Sequence, residues 1–151
     1  MTLDTGGTTF NEIAITMLTE NDVVKKLSIY LEKNGYEIIQ SLTTGERGVD
    51  IIAKKNGKIL FIEAKGETSS KSVTYRFGSP FSKSQIKSHV SRAILAAMKI
   101  LTAKPAGSNT IAALALPETD LHKELIKEIH LSIKKLDIKV FWVSQSRIRQ
   151  E

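Results

Sequence analysis

The dipeptide Asn56-Gly57 separates two runs of alternating residues in the stretch GVDIIAKKNGKILFIEAKG, from Gly48 to Gly66. Two-residue hairpin turns need a positive φ at their central positions, and Asn-Gly meets that need with little strain. Such a turn sets the whole register, pairing Lys55 with Lys58, Ala53 with Leu60 and Asp50 with Glu63. Because side chains alternate along a strand, Lys65 shares the face of the two acids. Its expected cross-strand partner is Gly48, which has no side chain to obstruct the space. Two carboxylates and an ammonium are thus predicted to converge at one end of an otherwise apolar hairpin.

The flanking segments supply the rest of a domain. Thr19 is placed to cap a helix with apolar positions Val23, Val24, Leu27, Tyr30 and Leu31, ending at Asn34-Gly35. YEIIQSL then reads as a strand before the hairpin, so three strands follow one another. Ser82 or Ser84 starts a long helix with Ile86, Val90, Ala93, Ile94, Ala97 and Leu101 on its buried stripe, closed by Pro105, Gly107 and Asn109. TIAALAL reads as a strand, PETDLHKELIKEIHLSIKKL as a helix with Leu121, Leu125, Ile129 and Ile133 along one side, and IKVFWVS as a final strand. A meander followed by helix–strand units predicts a mixed sheet with helices on both faces, because a crossover helix returns the chain in parallel. Strands that are apolar on both sides fit a sandwiched sheet.

Residues 1–18 read as an N-terminal arm, Gly- and Thr-rich over 1–9, with a short helical piece expected in FNEIAITML; residues 19–151 read as a single domain. The absence of cysteine excludes disulfides, thiolate metal sites and a cysteine nucleophile, and suits a reducing cytoplasm. The longest apolar run, IAALAL, is far too short for a membrane span, so no membrane association is expected. With 22 basic and 16 acidic residues the net charge is +6, which favours polyanions without specifying one.

Directly opposed acids, with Cβ atoms roughly 5 Å apart, destabilise a strand pair. Lys65 can offset that repulsion alone, as an ordinary charge cluster at a strand end. The alternative is a hard divalent cation, since Mg²⁺ takes a few carboxylate oxygens together with water and substrate phosphate. That arrangement suits phosphodiester hydrolysis. Glu20 lies on the helix stripe that faces the sheet, as a dipole partner or as a further acid of the site, whereas Asp22 points elsewhere and supports the helix start.

Gly48-Val49-Asp50, an apolar strand, the hairpin and Glu63-Ala64-Lys65 together resemble the D-x(n)-E-x-K signature of the PD-(D/E)XK nuclease superfamily, with Val49 where the family name carries proline. The element order is similar to that family's core over roughly residues 19–143. Gly-x-Asp before one strand and E-x-K-Gly at the end of the next look most like the resolvase-like and Mrr-like branches. The resemblance implies a restriction endonuclease-like fold, a three-layer α/β/α sandwich with a mixed central sheet. It further implies a DNA nuclease serving restriction, repair or recombination, with Mg²⁺ as cofactor and Mn²⁺ able to substitute. Asp50, Glu63 and the Ala64 backbone carbonyl would bind the metal, Lys65 would assist the attacking water, and Glu20 matches the family's helix-one acid at the same centre.

Many members of that family also carry a glutamine at the start of the helix after the E-x-K strand, and the resemblance matches it to Gln85 here. His89, one turn on, shares that helical face and could reach substrate; taken singly, Gln85 reads as a helix-surface polar residue and His89 as a satisfied or exposed histidine. In the loop GETSSKSVTYRFGSPF, Lys71, Tyr75 and Arg76, with Phe77, are candidates for backbone contact and base stacking, or the aromatics simply pin the loop. Arg47, at the hairpin mouth, is a phosphate-contact candidate. His122 and His130 show no ligand spacing and receive no role. The lack of a separate recognition domain suggests a homodimer. Competing expectations are a catalytically inactive DNA-binding module of the same fold, disfavoured by the intact acid–acid–lysine set, and an interaction protein whose charge cluster is incidental.

Overall fold

The computed structural model describes residues 17–69 and 79–151. The arm up to residue 16, including most of FNEIAITML, and the loop residues Lys71, Tyr75, Arg76 and Phe77 lie outside the described residues. The first helix, α1, is Glu20–Lys33; it is followed by strands β1 (Glu37–Ser41), β2 (Ile51–Lys55) and β3 (Lys58–Ala64). Helix α2 (Lys83–Ala103), β4 (Thr110–Pro117), α3 (Asp120–Lys135), β5 (Lys139–Val143) and β6 (Ile148–Gln150) complete the order.

The six strands form one sheet in chain order, β1 to β6, with β3–β4 and β4–β5 parallel and the other pairs antiparallel. Asn56 and Gly57 have φ of 50° and 78°, so the Asn-Gly turn forms as expected. The pairing runs from Lys55 opposite Lys58 to Ile51 opposite Ile62, the register that the turn dictates. β2 ends there, and Asp50 stands one residue beyond the ladder.

Alternation along the strands divides the core in two. Ile51, Ala53, Leu60, Ile62, Ala113 and Ala115 pack with Val23, Val24, Leu27 and Leu31 of α1 on one face. Ala112, Leu114, Leu116, Val140 and Trp142 pack with α2 and α3 on the other. Both crossover helices occupy one face because β3, β4 and β5 advance in one direction across the sheet, and crossovers of a single hand then fall on the same side. Leu18, 2% exposed, joins the α1-side core.

Helix ends follow the sequence closely. Thr19 and Asp22 form a capping box at α1: the Asp22 N–H donates to Thr19 Oγ1 (3.1 Å) and the Thr19 N–H to Asp22 Oδ2 (2.9 Å). Asp22 therefore supports the helix start, as expected. Ser82, of the two serines considered, caps α2.

Two features differ from expectation. The strand β6 was not anticipated, since Ile148–Gln150 carries little strand signal; Arg147 and Arg149 fasten it by donating to the nearly buried Glu118 carboxylate at 3.1 and 2.7 Å. The buried face of α3 is also turned by about one residue. His122, Ile126 and Ile133 are buried, while Leu121 is 38% exposed and Leu125 and Ile129 are only partly covered. The cap explains the rotation: the Thr119 hydroxyl accepts from the His122 N–H and meets the ring Nδ1 at 2.6 Å, drawing that histidine inward.

His122 is fully buried, and burial pushes its pKa down from 6.5 to about 4, with His89 adding a smaller effect. A depressed histidine contributes stability that is present above pH 6.5 and lost as pH falls toward 4. Its Nε2 has no partner among the described residues, so neutralising the site costs no hydrogen bond there. Between about pH 7 and about pH 5, the stability difference between wild type and His122→Leu should change by about 2 kcal/mol in favour of the variant. Urea unfolding at the two pH values measures this, and parallel pH dependences would refute it.

Candidate active site

At the end of the hairpin, the Ala64 N–H donates to Asp50 Oδ2 at 2.7 Å. This bond replaces the backbone partner that β2 no longer supplies. Asp50 is held from the other side as well, where its carbonyl accepts from the Leu42 N–H at 2.8 Å. Gln40 Nε2 donates to the Val49 carbonyl at 2.7 Å and pins the approach. Asp50 is thus fixed by β1 and β3 rather than by its own strand.

Glu63 alternates with Ile62 and Ala64, which face α1, so it projects toward the α2 side. The Lys65 N–H donates to the Ala115 carbonyl at 3.0 Å, extending the parallel ladder by one residue and keeping Lys65 on the Glu63 side. In an extended strand the N–H and C=O of one residue point to the same edge. The Ala64 carbonyl consequently faces the Asp50 side, as the expected ligand set requires.

Gly48 serves a different purpose from the one its spacing suggested. Its φ is +131°, a conformation that side-chain-bearing residues rarely adopt. A Cβ there would meet Leu42 Cδ1 at 3.2 Å and the Gln40 amide at 3.3 Å, and Lys65 is not within 4 Å. Gly48 is therefore needed for the bend into Asp50, not to clear room for Lys65.

The site is assembled around the sheet edge by the segment after Lys65. A Cβ on Gly66 would collide with the Glu20 backbone and lie 2.7 Å from the Thr19 carbonyl carbon. The Glu67 N–H donates to the Leu18 carbonyl at 2.8 Å, and Thr19 and Thr68 form a parallel bridge. This contact brings the first turn of α1, and with it Glu20, to the end of β3. Glu20, Lys65 and Gly66 then line an open cleft of about 420 Å³, whose opposite wall is Phe81, His89 and Arg92. Thr44 also borders it, held by hydrogen bonds from its N–H (2.7 Å) and hydroxyl (3.0 Å) to Asn21 Oδ1.

Electrostatics mark the same residues. Burial is the main cause pushing the Glu63 carboxyl up to about 7, and the Asp50 carboxylate adds to it while Lys65 opposes it. Asp50 is raised by burial, against the Ala64 N–H and Lys65. Glu20 is raised by burial, lowered by Lys65 and raised again by Asp50, so the acid on α1 feels the hairpin pair across the edge. Burial, then Lys65 and Arg92, lower His89, whose ring packs edge-on to Phe81 with centroids 4.6 Å apart. Among the described residues, no hydrogen bond or ion pair within 4 Å holds the Lys65 ammonium.

The structure thus brings Asp50, Glu63, Lys65, Glu20 and His89 to one region. Gln85 lies at the third position of α2, where its Oε1 accepts from the Ser82 N–H at 2.8 Å as part of a capping box; it does not line the cleft. Arg47 is exposed in the loop between β1 and β2 and does not line it either. Lys71, Tyr75 and Arg76 are outside the described residues. Sequence reasoning missed Arg92, although its spacing of one turn from His89 was a usable signal. It also missed Thr44 and the packing role of Gly66, which depend on contacts between distant segments.

Among the described residues, no group of three or more His, Cys, Asp or Glu side chains forms a ready metal cage. Mg²⁺ does not need one, because it commonly binds through one or two carboxylates and keeps water or substrate oxygens. Two opposed acids with raised pKa, beside a carbonyl directed to the same edge, are a hard-oxygen donor set whose mutual repulsion a cation would relieve.

Glu63, with its pKa raised from 4.5 to about 7, contributes stability that is present below pH 4.5 and lost as pH rises through 7. Glu63→Gln should therefore be more stable than wild type by on the order of 2 kcal/mol at about pH 8, after allowance for partial exposure, and the gain should vanish in acid. Denaturant titrations at both pH values test this; a pH-independent difference would contradict it. Gly66→Ala should cost about 1–3 kcal/mol, because the obstruction is backbone that no rotamer change relieves. Compared with known proteins, the chain matches no family model, and no curated protein or solved structure at a significant level.

Proposed function

We propose that the chain is a metal-dependent nuclease with a restriction endonuclease-like fold, hydrolysing phosphodiester bonds of DNA in restriction, repair or recombination. The observation that carries this reading is the Asp50–Glu63 pair, electrostatically coupled to Lys65 and Glu20, which themselves line a cleft. A mixed sheet flanked by α1 on one face and α2 and α3 on the other is the architecture such an enzyme would require.

Asp50, Glu63 and the Ala64 carbonyl would hold Mg²⁺, or Mn²⁺ in its place. When bound, the cation supplies Lewis-acid stabilisation of developing charge on phosphate and makes a coordinated water more acidic. The chain's own groups do the rest. The Ala64 N–H fixes one Asp50 oxygen and leaves the other available. Lys65 acts in one of two ways: as an ammonium it donates hydrogen bonds that orient the water and offsets charge on the phosphate, and as a neutral amine it accepts a proton from the attacking water. Glu20 lines the cleft as a third acid and can accept a hydrogen bond from that water. The net charge of +6 favours approach of a polyanion, and a homodimer would present two such sites to two strands.

Incubation with supercoiled, linear, single-stranded and branched DNA, with Mg²⁺, Mn²⁺ or EDTA, tests the proposal. Cleavage is expected only with a divalent metal and should be lost in Asp50→Asn and Lys65→Ala. In parallel, Mg²⁺ or Mn²⁺ should raise the melting temperature of the wild type and not of Asp50→Asn. Binding without cleavage on every substrate would instead identify an inactive DNA-binding module, and absence of both would sink the nucleic-acid reading altogether.

A further inference from the structure

The wall of the cleft opposite Glu20 has no part in holding a cation, yet it is where the remaining positive charge of the site lies. His89 and Arg92 are three residues apart on α2 and so share a helical face. Both line the cleft together with Lys65. Their proximity is also electrostatic, since Lys65 and Arg92 each disfavour the protonated form of His89. Arg92 is exposed, and among the described residues no hydrogen bond or ion pair within 4 Å occupies its guanidinium. Lys65 is drawn toward the carboxylates of Glu20, Asp50 and Glu63, whereas Arg92 faces the cleft with no such acid beside it, and a guanidinium so placed is available to an anion. The acid on the facing wall, Glu20, is instead coupled to Lys65 and Asp50.

The size and chemistry of the space narrow the ligand. At about 420 Å³ the cleft falls within the range of small-molecule sites, roughly 300–1,000 Å³. It therefore has room for a nucleotide unit beside Glu20 and Lys65. A guanidinium presents a planar fork of donors that matches phosphate oxygens in pairs. The His89 ring, held edge-on by Phe81, adds a hydrogen-bonding group at the same wall without adding charge near neutral pH.

On this basis we infer that Arg92, with His89, forms a binding subsite for a backbone phosphate of the nucleic acid, beside the phosphate at the carboxylate pair. The inference rests on the nuclease reading and extends it to a named α2 wall. Arg92 is a substrate-binding residue in this scheme and takes no part in proton transfer.

Binding of a short fluorescein-labelled oligonucleotide by the full chain, with Ca²⁺ in place of Mg²⁺ to suppress cleavage, provides the test. Fluorescence anisotropy is measured across a salt series for wild type, Arg92→Ala, Arg92→Lys and the control Lys99→Ala, an exposed α2 position outside the cleft. Arg92→Ala should weaken binding by about three- to tenfold regardless of base sequence. It should reduce the slope of log affinity against log salt by about 0.7–0.9, the release of one phosphate contact. Arg92→Lys should retain the slope and recover only part of the affinity, since a point charge keeps the contact but not the fork. Lys99→Ala should match wild type, and all four melting temperatures should agree.

An Arg92→Ala slope equal to that of wild type overturns the subsite while leaving the nuclease reading intact. Failure of the wild type to bind any oligonucleotide overturns both. Competition with inorganic phosphate and with a mononucleotide separates the sources of phosphate. Displacement of the oligonucleotide by free phosphate at equal concentration would overturn a nucleic-acid subsite in favour of a small-anion site.

Discussion

The hydrogen bond from the Ala64 N–H to Asp50 Oδ2 joins the fold to its site. It forms where the β2–β3 ladder stops, so a carboxylate takes the place of a backbone carbonyl at the last position of the hairpin. The same strand, β3, continues on its other edge into the parallel pairing with β4. One strand therefore ties the meander to the crossover half of the sheet and presents the acids. A change that shifts β3 by one residue would turn Glu63 and Lys65 into the α1 core and expose Ile62 and Ala64. The apolar packing against α1 is what forbids that shift.

Burial supplies much of the site's chemistry and much of its cost. Glu63, Asp50 and Glu20 are each raised chiefly because the sheet edge and helix ends withdraw them from water. Apolar residues at these positions would serve stability better. Three acids that feel one another across the sheet edge, with Glu20 on the cleft, are costly to stability, and perturbed carboxyls of this kind cluster at functional sites. His122 shows the contrasting case of a buried titratable group with a local explanation, since its ring and backbone both meet the Thr119 hydroxyl at the start of α3.

Close backbone approach carries the remaining geometry. The Gly66 contact lets the first turn of α1 reach the end of β3, although α1 covers the face opposite to the one on which Glu63 projects. Glu20 consequently approaches the hairpin acids around the edge of the sheet. The loop between β1 and β2 is drawn to the same place through Thr44 and Asn21. These contacts link segments far apart in the chain, and none has a periodic signature.

The sequence by itself determined the hairpin and its register, the Thr19 cap, and the crossover order, because turn chemistry, capping and apolar period are local properties. From these followed the meeting of Asp50, Glu63 and Lys65. Only the tertiary structure decided the inward turn of His122, the β6 strand held by arginines on Glu118, the strained backbone at Gly48 and the wall formed by Phe81, His89 and Arg92. Each depends on what a side chain meets across the sheet or at its edge. Local pattern specifies which face a residue occupies, whereas the neighbours on that face come from packing between distant segments.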